Sequence, residues 1–228
     1  MKVVALIPAR GGSKRIPKKN LYPILGVPLI EWSIRTCLRA SLDEVWVSSD
    51  DKEILEFCRN IDKVKVIKRP EYLSRDNSST DDVMVHFASE VEFDALVLVQ
   101  STSPLVRSED INKGIDLIFS GKYDSVFSAI SAKENDILFW KVSDKAIPVN
   151  FDPMKRGLSQ TRENPYFIET GAFYIILKDV LLELKSRYGR RLGLCEVPLY
   201  TMFEIDNMED IPIVEHLLKI KQMTSKLT

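Results

Sequence analysis

The sequence predicts an α/β fold with a doubly wound, mostly parallel sheet and a small inserted lobe. Short runs of β-branched and other apolar residues alternate with helical patterns from residue 2 to residue 131. These runs are continuously apolar, which is typical of strands that are covered by helices on both faces of a sheet. The third observation is a break in the alternation between Ser131 and Glu163, where charge, proline and isolated aromatic residues replace it.

Strands and helices follow one another in a regular order. Five strands are predicted first, at 2–9, 44–50, 64–69, 94–100 and 124–131, with four helices between them at 28–40, 51–60, 80–91 and 108–121. After the break, strand character returns at 166–177 and 192–200, and an amphipathic helix follows at 207–223. Strands that alternate with helices in this way form a parallel sheet with crossover helices. We therefore predict a single domain over residues 1–228.

The segment 131–163 is predicted to be a lobe inserted within that domain, with a hairpin around Val142 to Ala146. The segment is too short to enclose a core of its own, so its large apolar side chains must pack against something else. Those side chains are Ile137, Leu138, Phe139, Trp140, Ile147, Val149 and Phe151. A second copy of the chain would bury them in a homodimer, and the alternative is that they pack on the parent domain.

Charge balance and rare residues narrow the classes of function. The chain has 32 Lys and Arg against 33 Asp and Glu, a balance that argues against a surface built for nucleic acid or acidic membrane. Its three cysteines include no C-x-x-C pair, we recognise no signal peptide, and no apolar run reaches about 20 residues, so we expect a cytoplasmic protein without a membrane span. Only His86 and His216 are present, which nearly excludes a histidine-rich metal site.

The loop after the first strand, "IPARGGSKRIPKKN" (7–20), concentrates positive charge. Five cations fall within ten residues, at Arg10, Lys14, Arg15, Lys18 and Lys19. In a parallel α/β sheet this loop is the usual phosphate cradle, and its two glycines would let backbone N–H groups approach an anion. The pattern is neither a P-loop nor a dinucleotide-binding fingerprint. We predict a polyphosphate site here, and the alternative is a solvated basic turn.

Five segments carry a resemblance to a known family. They are "IPARGGSKRIPKKN", "VSSDD", "QSTSPL", "ETGAFYI" and "EIDNMED", and their order along nearly the whole chain resembles that of the CMP-sialic acid synthetases, the acylneuraminate cytidylyltransferases. The resemblance implies a Rossmann-like nucleotide-sugar transferase fold, a Mg²⁺ requirement and a dimer built with the inserted lobe. It also implies the reaction, in which CMP is transferred from CTP to a nine-carbon 2-keto sugar acid.

The resemblance places the triphosphate and ribose of CTP on the first loop. The residues that it implies there are Arg10, Ser13, Lys19 and Asn20. The anomeric hydroxyl of the acceptor would attack the α-phosphorus in line and expel pyrophosphate, so catalysis would consist of positioning and of charge stabilisation by Arg10, Lys19 and Mg²⁺. No covalent enzyme intermediate is expected.

A second segment, "RPEYLSRDNSST", resembles the nucleotide loop of the same family. Arg69 and Ser78 are the nucleotide contacts that the resemblance implies. An alternative interpretation is a helix entry in which Asn77, Ser78 or Ser79 is the cap, and both roles are compatible for Ser78.

The acceptor sugar is assigned by resemblance to Gln100, Glu169 and Phe173. A dimer of lobes would bring Lys155, Arg156 or Arg162 toward the active site of a neighbouring subunit, and Arg162 is the lobe residue that we assign to the substrate. In the related enzymes for the eight-carbon acid of lipopolysaccharide, the segment at Gln100 resembles Q-G-D-E-P and carries an acidic metal ligand. Here "QSTSPL" replaces it, which favours the sialic acid branch. Thr170 stands where many relatives have Asn, and Phe173 has a core position as its alternative role.

The segment "EIDN" (204–207) resembles the D-x-D metal pair of the family. Asp206 matches that pair and Glu204 departs from it, although glutamate is also a hard oxygen ligand suited to Mg²⁺. Without the resemblance, the segment would be interpreted as a helix N-cap with acidic first-turn residues.

Two other functions stay open at this level. One is CMP transfer to a different acceptor, such as pseudaminic, legionaminic or a non-aminated nonulosonic acid. The other is a non-catalytic nucleotide-binding module of the same fold, against which the joint presence of Arg10, Lys19, Gln100 and Asp206 argues.

Overall fold

A mixed, seven-stranded sheet lies at the centre of the described part of the molecule. The computed structural model describes residues 1–75, 77–132, 140–142, 146–149 and 166–224. Its strands are β1 (Val3–Pro8), β2 (Pro23–Ile24), β3 (Val27–Pro28), β4 (Glu44–Ser49), β5 (Val64–Lys68), β6 (Ala95–Val99), β7 (Ser125–Ser131), β8 (Trp140–Val142), β9 (Ala146–Pro148), β10 (Phe167–Leu177) and β11 (Leu192–Glu196). Its α-helices are α1 (Leu29–Arg39), α2 (Lys52–Arg59), α3 (Thr80–Glu90), α4 (Ser108–Phe119), α5 (Lys178–Leu184) and α6 (Asp210–Thr224).

The strand order in the large sheet is β11-β7-β10-β6-β1-β4-β5. Parallel pairs join β1 to β4 and β6, β4 to β5, and β7 to β11. β10 runs antiparallel between β6 and β7. The predicted doubly wound and mostly parallel sheet is therefore confirmed, and the reversed β10 is a feature that the sequence analysis did not predict.

Apolar residues on both faces of the sheet pack under helices. In β1, Ala5 packs in the cluster formed with α1, α2 and α4, whereas its neighbours Val4 and Leu6 pack in the cluster formed with α3 and α5. Successive side chains of a strand point to opposite faces, so a continuously apolar run fills both clusters. A third cluster packs α6 against the end of the first loop and includes Ile16 and Ile205.

Some short elements of the structure were not predicted from the sequence. The helix α5 follows β10 directly, and a small hairpin of β2 and β3 turns at Leu25 and Gly26, whose φ angles are 51° and 78°. The strand predicted over 192–200 ends at Glu196, and a 3₁₀ turn follows at Leu199–Met202. Pro198, which has no N–H to donate to a strand ladder, precedes this turn.

The inserted segment is described only in part. β8 and β9 pair antiparallel, which confirms the hairpin predicted around Val142 to Ala146. Ile147 and Val149 are 40% and 63% exposed. The rest of the predicted lobe, including Arg162, lies outside the described residues. None of the helices in the described ranges is long and apolar enough to span a membrane.

Candidate active site

A cavity of about 480 Å³ lies where β1, β5 and β6 end. This is the edge at which open α/β sheets bind ligands. Seven of the predicted site residues line it, namely Arg10, Ser13, Lys19, Asn20, Arg69, Ser78 and Gln100. The fold thus brings together residues that lie up to 90 positions apart in the chain.

The wall of this cavity is strongly basic. Its cationic side chains are Arg10, Lys14, Arg15, Lys19, Arg69 and Arg75, and the described lining contains no carboxylate. Sequence analysis did not single out Arg75, which lies in the second predicted loop just before the helix entry. Such a concentration of positive charge fits an anion that carries several negative charges.

Lys18 does not take the role that its place in the basic loop suggested. Its φ of 51° is left-handed, and its Nζ lies 2.6 Å from a carboxylate oxygen of Glu53 at the surface. The side chain is 67% exposed and lies outside the cavity lining. Four of the five cations of the loop therefore line the cavity, and Lys18 pairs with α2 instead.

Gly11 is held against the end of β4. Its N–H donates to Oδ1 of Asp50 at 3.1 Å, and a Cβ at this position would lie 2.6 Å from Oδ2 of Asp51. Asp51 itself caps α2 by accepting from the N–H groups of Glu53 and Ile54. A side chain at position 11 would thus displace this cap, so glycine is required by close packing. The sequence analysis expected Gly11 and Gly12 to let backbone N–H groups approach an anion, and in the structure the Gly11 N–H donates to Asp50 instead.

Asn20 is a buried amide at the cavity wall. It is 5% exposed, and its Nδ2 donates to the carbonyl of Arg10 at 2.9 Å. Its Oδ1 is buried and accepts no hydrogen bond within the described part of the chain. Leaving a buried acceptor unpaired costs about 1–3 kcal/mol, so a hydroxyl or amine donor of a ligand would be stabilised at this atom.

Arg69 is also buried, at 5% exposure. Its Nη2 and Nε donate to the carbonyl and Oγ of Ser48 at 2.8 and 3.2 Å, which fixes the guanidinium at the end of β5. Burial lowers the pKa of Arg69 to about 10; Asp50 opposes this shift and Arg10 adds to it. Two cations that lie close together in a buried site favour a polyanion between them.

The segment before α3 contains both a helix cap and a cavity residue. Ser79 is the cap, because its Oγ accepts from the N–H of Asp82 and the Asp82 carboxylate accepts from the Ser79 N–H. Ser78 lines the cavity and donates its hydroxyl to the carbonyl of Tyr72 at 2.8 Å. Of the candidate caps, Ser79 is the one that caps the helix, and both Ser78 and Ser79 line the cavity.

The predicted metal residues lie next to this cavity. Nζ of Lys19 donates to Oδ1 of Asp206 at 3.0 Å, and Nη2 of Arg15 lies 3.7 Å from the same oxygen. The N–H groups of Asp206 and Asn207 are held by Asp210, the first residue of α6. The Asp206 carboxylate thus pairs with cations of the basic loop, and the Asp210 carboxylate holds the backbone that leads into α6.

Glu204 occupies a half-buried polar slot beside Asp206. Its Oε1 accepts from Oγ of Ser103 at 2.7 Å, and the next residue, Ile205, donates its N–H to the carbonyl of Thr102 at 2.9 Å. Burial raises the pKa of the Glu204 carboxyl; the Ser103 hydrogen bond opposes this and the charge of Asp206 adds to it. A nearby cation would relieve both effects.

The donor set fits Mg²⁺ in its chemistry. Glu204 and Asp206 offer hard oxygen atoms, and the described residues contain no group of three or more His, Cys, Asp or Glu side chains that would hold a metal alone. Mg²⁺ is usually bound by one or two carboxylates, with phosphates and water completing its coordination. The pair therefore suits a metal that arrives with a phosphate substrate.

The two predicted sugar contacts on β10 lie apart from the cavity lining. Phe173 is 1% exposed in the core, and a Cβ on Gly114 would lie 3.1 Å from its ring, which agrees with the core alternative. Glu169 is exposed and accepts hydrogen bonds from the hydroxyls of Tyr174 and Tyr188. Its position between two tyrosines was not foreseen from the sequence.

Thr170 has a structural role in β10. It is 8% exposed, its Oγ1 lies 2.6 Å from Oγ of Ser128, and it also donates to the Ser128 carbonyl. The pairing of β10 with β7 is irregular here, and Gly171 has a φ of 73°. The hydroxyl therefore holds an irregular stretch of strand and is not available to a sugar.

Comparison with known sequences gives one family for nearly the whole chain. The model of the family described as cytidylyltransferase matches residues 4–226. N-acylneuraminate cytidylyltransferase A of Danio rerio is 33% identical over 93% of this chain and 50% of its own length. Pseudaminic acid cytidylyltransferase of Campylobacter jejuni is 27% identical over 96% of this chain and 97% of its own length. The chain spans about half the length of several N-acylneuraminate relatives that it matches.

Solved structures support the fold. The chain matches CMP:2-keto-3-deoxy-manno-octonic acid synthetase in complex with CTP, with a TM-score of 0.72, 22% identity and coverage of 97% and 100% of the two chains. It also matches 4-diphosphocytidyl-2C-methyl-D-erythritol synthase of Anaerococcus prevotii, with a TM-score of 0.70, 13% identity and 96% coverage of both chains. At these identities the likeness concerns the fold alone.

Proposed function

Because the chain belongs to the cytidylyltransferase family, we propose that it transfers CMP from CTP to the anomeric hydroxyl of a nonulosonic, sialic-type acid and releases pyrophosphate. The observation that carries the proposal is the basic cavity, where six cations and the unpaired Oδ1 of Asn20 lie beside the Glu204 and Asp206 carboxylates. The name of one matched relative specifies N-acylneuraminate, and a structural relative was solved with CTP.

The nucleotide is bound by the cavity wall. The triphosphate lies against Arg10, Lys19 and Arg69 and accepts charge-assisted hydrogen bonds from them. A ribose hydroxyl or the cytosine amine donates to Oδ1 of Asn20, which removes the cost of a buried unpaired acceptor. Binding in this way fixes the α-phosphorus in front of the acceptor hydroxyl, and that positioning is the main part of catalysis.

Charge stabilisation is the second part. Negative charge grows on the pyrophosphate as it leaves, and Arg10 and Lys19 are fixed cations at the place where it grows. Lys19 is 13% exposed and is already oriented by the Ile205 carbonyl and by Asp206, so little reorganisation is needed. Gln100 lines the same cavity and is the side chain that we assign to the acceptor sugar.

The cofactor belongs to the proposal as well. Asp206 and Glu204 would hold Mg²⁺ together with phosphate oxygens, and the ion would supply positive charge for the triphosphate and its leaving group. Ser103 keeps one Glu204 oxygen occupied, so the other oxygen is the one that faces a ligand. Asp206, which is 43% exposed, is the more accessible of the two carboxylates.

We further propose a homodimer built with the lobe 131–163 and a cytoplasmic location. Exposed apolar side chains flank the described part of the lobe, among them Val149 and Tyr166 at 63% and 58% exposure. Contact with a second copy would bury them. All three cysteines are free and buried, which fits a reducing compartment.

A second acceptor is favoured by one observation. A pseudaminic acid cytidylyltransferase of Campylobacter jejuni is 27% identical over 96% of this chain. Pseudaminic acid is therefore the second candidate among the nonulosonic acids.

One assay tests the reaction and the acceptor together. Purified protein is incubated with Mg²⁺, CTP and each member of a panel of nine-carbon 2-keto acids, and pyrophosphate release is followed. We expect release that requires one of the acids. If CTP binds but no acid of the panel causes pyrophosphate release, the protein would be a non-catalytic nucleotide-binding module and the proposal would be contradicted.

A further inference from the structure

Two cations of the first loop converge on one carboxylate oxygen. Nζ of Lys19 donates to Oδ1 of Asp206 at 3.0 Å, and Nη2 of Arg15 lies 3.7 Å from the same atom. Both cationic side chains also line the nucleotide cavity. Arg15 therefore lies between the place proposed for the triphosphate and the carboxylate proposed for the metal.

The backbone on both sides of this contact is fixed. Ile16 follows Arg15 in the chain and is fully buried. Ile205 precedes Asp206, is also fully buried and belongs to the same apolar cluster as Ile16. The N–H of Asp206 donates to Oδ2 of Asp210 at 2.8 Å. Since each charged residue is adjacent to a buried anchor, the approach of Arg15 to Asp206 follows from the packing of the fold.

The two cations differ in how firmly they are held. Lys19 is 13% exposed and has a second acceptor, the carbonyl of Ile205, at 3.2 Å. Arg15 is 60% exposed, and its contact with Asp206 is longer than a hydrogen bond. An ion pair at such an exposed place contributes little to stability. Arg15 can therefore exchange Asp206 for a stronger anionic partner, while Lys19 stays in place.

Charge decides which partner Arg15 takes. When Asp206 and Glu204 are both ionised, Arg15 and Lys19 offset their charges, so the carboxylate pair has no net negative charge with which to attract a divalent cation. A dication at Oδ1 of Asp206 would also lie close to the Arg15 guanidinium, and the two positive charges would repel each other. A triphosphate in the cavity supplies several anionic oxygens, to which a guanidinium donates strong, charge-assisted hydrogen bonds.

We propose that Arg15 makes metal binding at Asp206 depend on the nucleotide. In the free protein, Arg15 pairs with Asp206 and opposes a divalent cation. When CTP binds, Arg15 turns to the triphosphate, and the carboxylate oxygen that it leaves becomes available to the metal. Arg15 is thus a positioning residue that sets the order of binding, with CTP before the metal or together with it. This inference rests on the proposed function, because it needs both CTP and Mg²⁺ at the site.

A purely structural ion pair predicts a different effect of substitution. If Arg15 only oriented Asp206, its removal would leave the carboxylate less ordered, and metal binding would become weaker or stay unchanged. If Arg15 opposes the metal, its removal strengthens metal binding by the nucleotide-free protein. The sign of the change in metal affinity therefore separates the two roles, and it is measured without turnover.

Mn²⁺ is the probe, and its free concentration is measured by electron paramagnetic resonance in titrations of the full chain. One series contains no nucleotide. The other contains saturating CTP without an acceptor, and the Mn²⁺ bound by CTP alone is determined in a protein-free titration. We expect the parent protein to bind Mn²⁺ at least about ten-fold more tightly with CTP than without it. Nucleotide-free Arg15→Ala should bind Mn²⁺ about three- to ten-fold more tightly than the nucleotide-free parent.

Two variants are matched controls. Lys18→Ala removes a cation of the same loop that pairs with Glu53 at the surface, outside the cavity lining, and should leave the Mn²⁺ affinity unchanged in both series. Arg15→Lys keeps a positive charge near Asp206 and should stay within about two-fold of the parent protein. In the CTP series Arg15→Ala should match the parent, because Arg15 has already left Asp206 there. The gain in Mn²⁺ affinity on addition of CTP is thus smaller in Arg15→Ala.

Four results would overturn the proposal. Unchanged or weaker Mn²⁺ binding by nucleotide-free Arg15→Ala would assign a structural role to the contact. Equal strengthening in Lys18→Ala would indicate the general charge of the loop. Equal Mn²⁺ affinity of the parent protein with and without CTP would exclude the coupling but leave the proposed reaction intact. Absence of Mn²⁺ binding to the CTP complex would contradict the metal site of the proposed function itself, and this inference with it.

Discussion

The hydroxyl of Ser103 donates a 2.7 Å hydrogen bond to Oε1 of Glu204. Ser103 is fully buried, and on another side of Glu204 a Cβ on Gly171 would lie 3.4 Å from the same oxygen. The glutamate thus lies in a slot between a hydroxyl donor and the backbone at Gly171, where a Cβ would make ordinary van der Waals contact. The longer side chain, which departs from the D-x-D pattern, is accommodated by this slot, and Ser103 fixes the orientation of its carboxylate.

The first prediction concerns metal affinity. Ser103→Ala should weaken Mn²⁺ or Mg²⁺ binding to the CTP complex by about 10- to 100-fold, because a carboxylate without its orienting partner must be ordered by the metal. Electron paramagnetic resonance titration of free Mn²⁺ measures this without turnover. Ser120→Ala is the control, because the Ser120 hydroxyl donates to the Leu117 carbonyl and accepts from the Lys122 N–H at the end of α4, away from the carboxylates. Unchanged metal affinity in Ser103→Ala would contradict the orienting role.

The second prediction concerns Asp206. Asp206→Asn should lower kcat at least about 10²-fold, comparable to the loss of one strong transition-state contact. The measurement is the initial rate at saturating CTP, acceptor and Mg²⁺, with circular dichroism as a check of folding. Asp116→Asn, on an exposed position of α4, should be neutral. Near-normal activity in a folded Asp206→Asn variant would exclude Asp206 as a metal ligand.

The third prediction separates two cations of the first loop. Arg10→Ala should cost about 2–4 kcal/mol of transition-state stabilisation, measured as kcat/KM for CTP, because Arg10 lines the cavity in which we propose that the triphosphate binds. Lys18→Ala should change kcat/KM by less than about three-fold, because Lys18 pairs with Glu53 at the surface. Equal effects of the two substitutions would indicate a diffuse electrostatic role of the loop.

Local hydrophobic patterns in the sequence were sufficient to predict most strands and helices of the fold. Strands and helices were predicted because each continuous apolar run and each helical period is a property of a few adjacent residues. The reversal of β10 between β6 and β7 was not predictable in this way, because strand order depends on pairing between distant segments. α5 has seven residues and follows β10 without an intervening loop, so no turn residue marks its start.

The site was predicted in its composition more than in its details. Position after β1 and charge density were enough to predict Arg10 and Lys19 as cavity residues. The same two observations did not show that Lys18 points away from the cavity. Its backbone is left-handed and its side chain pairs with Glu53, and a lysine in a sequence does not indicate a left-handed conformation. Phe173 was assigned to the sugar from its place in a motif but lies in the core, because the motif does not tell which face of a strand a side chain occupies.

The fourth prediction concerns stability and pH. Burial raises the pKa of Glu44, but hydrogen bonds from Lys65, Trp46 and Lys2 outweigh it and hold the pKa at about 2. A carboxyl whose pKa is lower in the folded state stabilises the fold above its unfolded pKa, and this stabilisation is lost as the pH falls toward the folded value. Glu44→Gln should therefore lower the free energy of unfolding at pH 7 by about 1–2 kcal/mol, discounted for the exposure of both lysines.

Urea unfolding of Glu44→Gln and the parent protein at several pH values checks this prediction. The difference in unfolding free energy should shrink as the pH falls from about 4.5 toward 2, the window between the ordinary and the lowered pKa. Glu56→Gln, at an exposed position of α2, provides the baseline for loss of a surface charge. A difference that is constant over this range would mean that the substitution acts through packing alone.

The last prediction concerns assembly. Val149 and Phe167 are 63% and 43% exposed at the two ends of the part of the lobe that lies outside the described residues, and a homodimer built with the lobe would bury them. Light scattering should then give about twice the chain mass of 26.1 kDa.

Phe167→Asp should shift the protein toward monomers and weaken turnover, because a charge buried in the contact costs several kcal/mol. Phe119→Asp, at a 54% exposed position at the end of α4, is the matched control and should leave mass and activity unchanged. A parent protein that is monomeric at micromolar concentration and fully active would refute both the dimer and a contribution of the lobe to a neighbouring site.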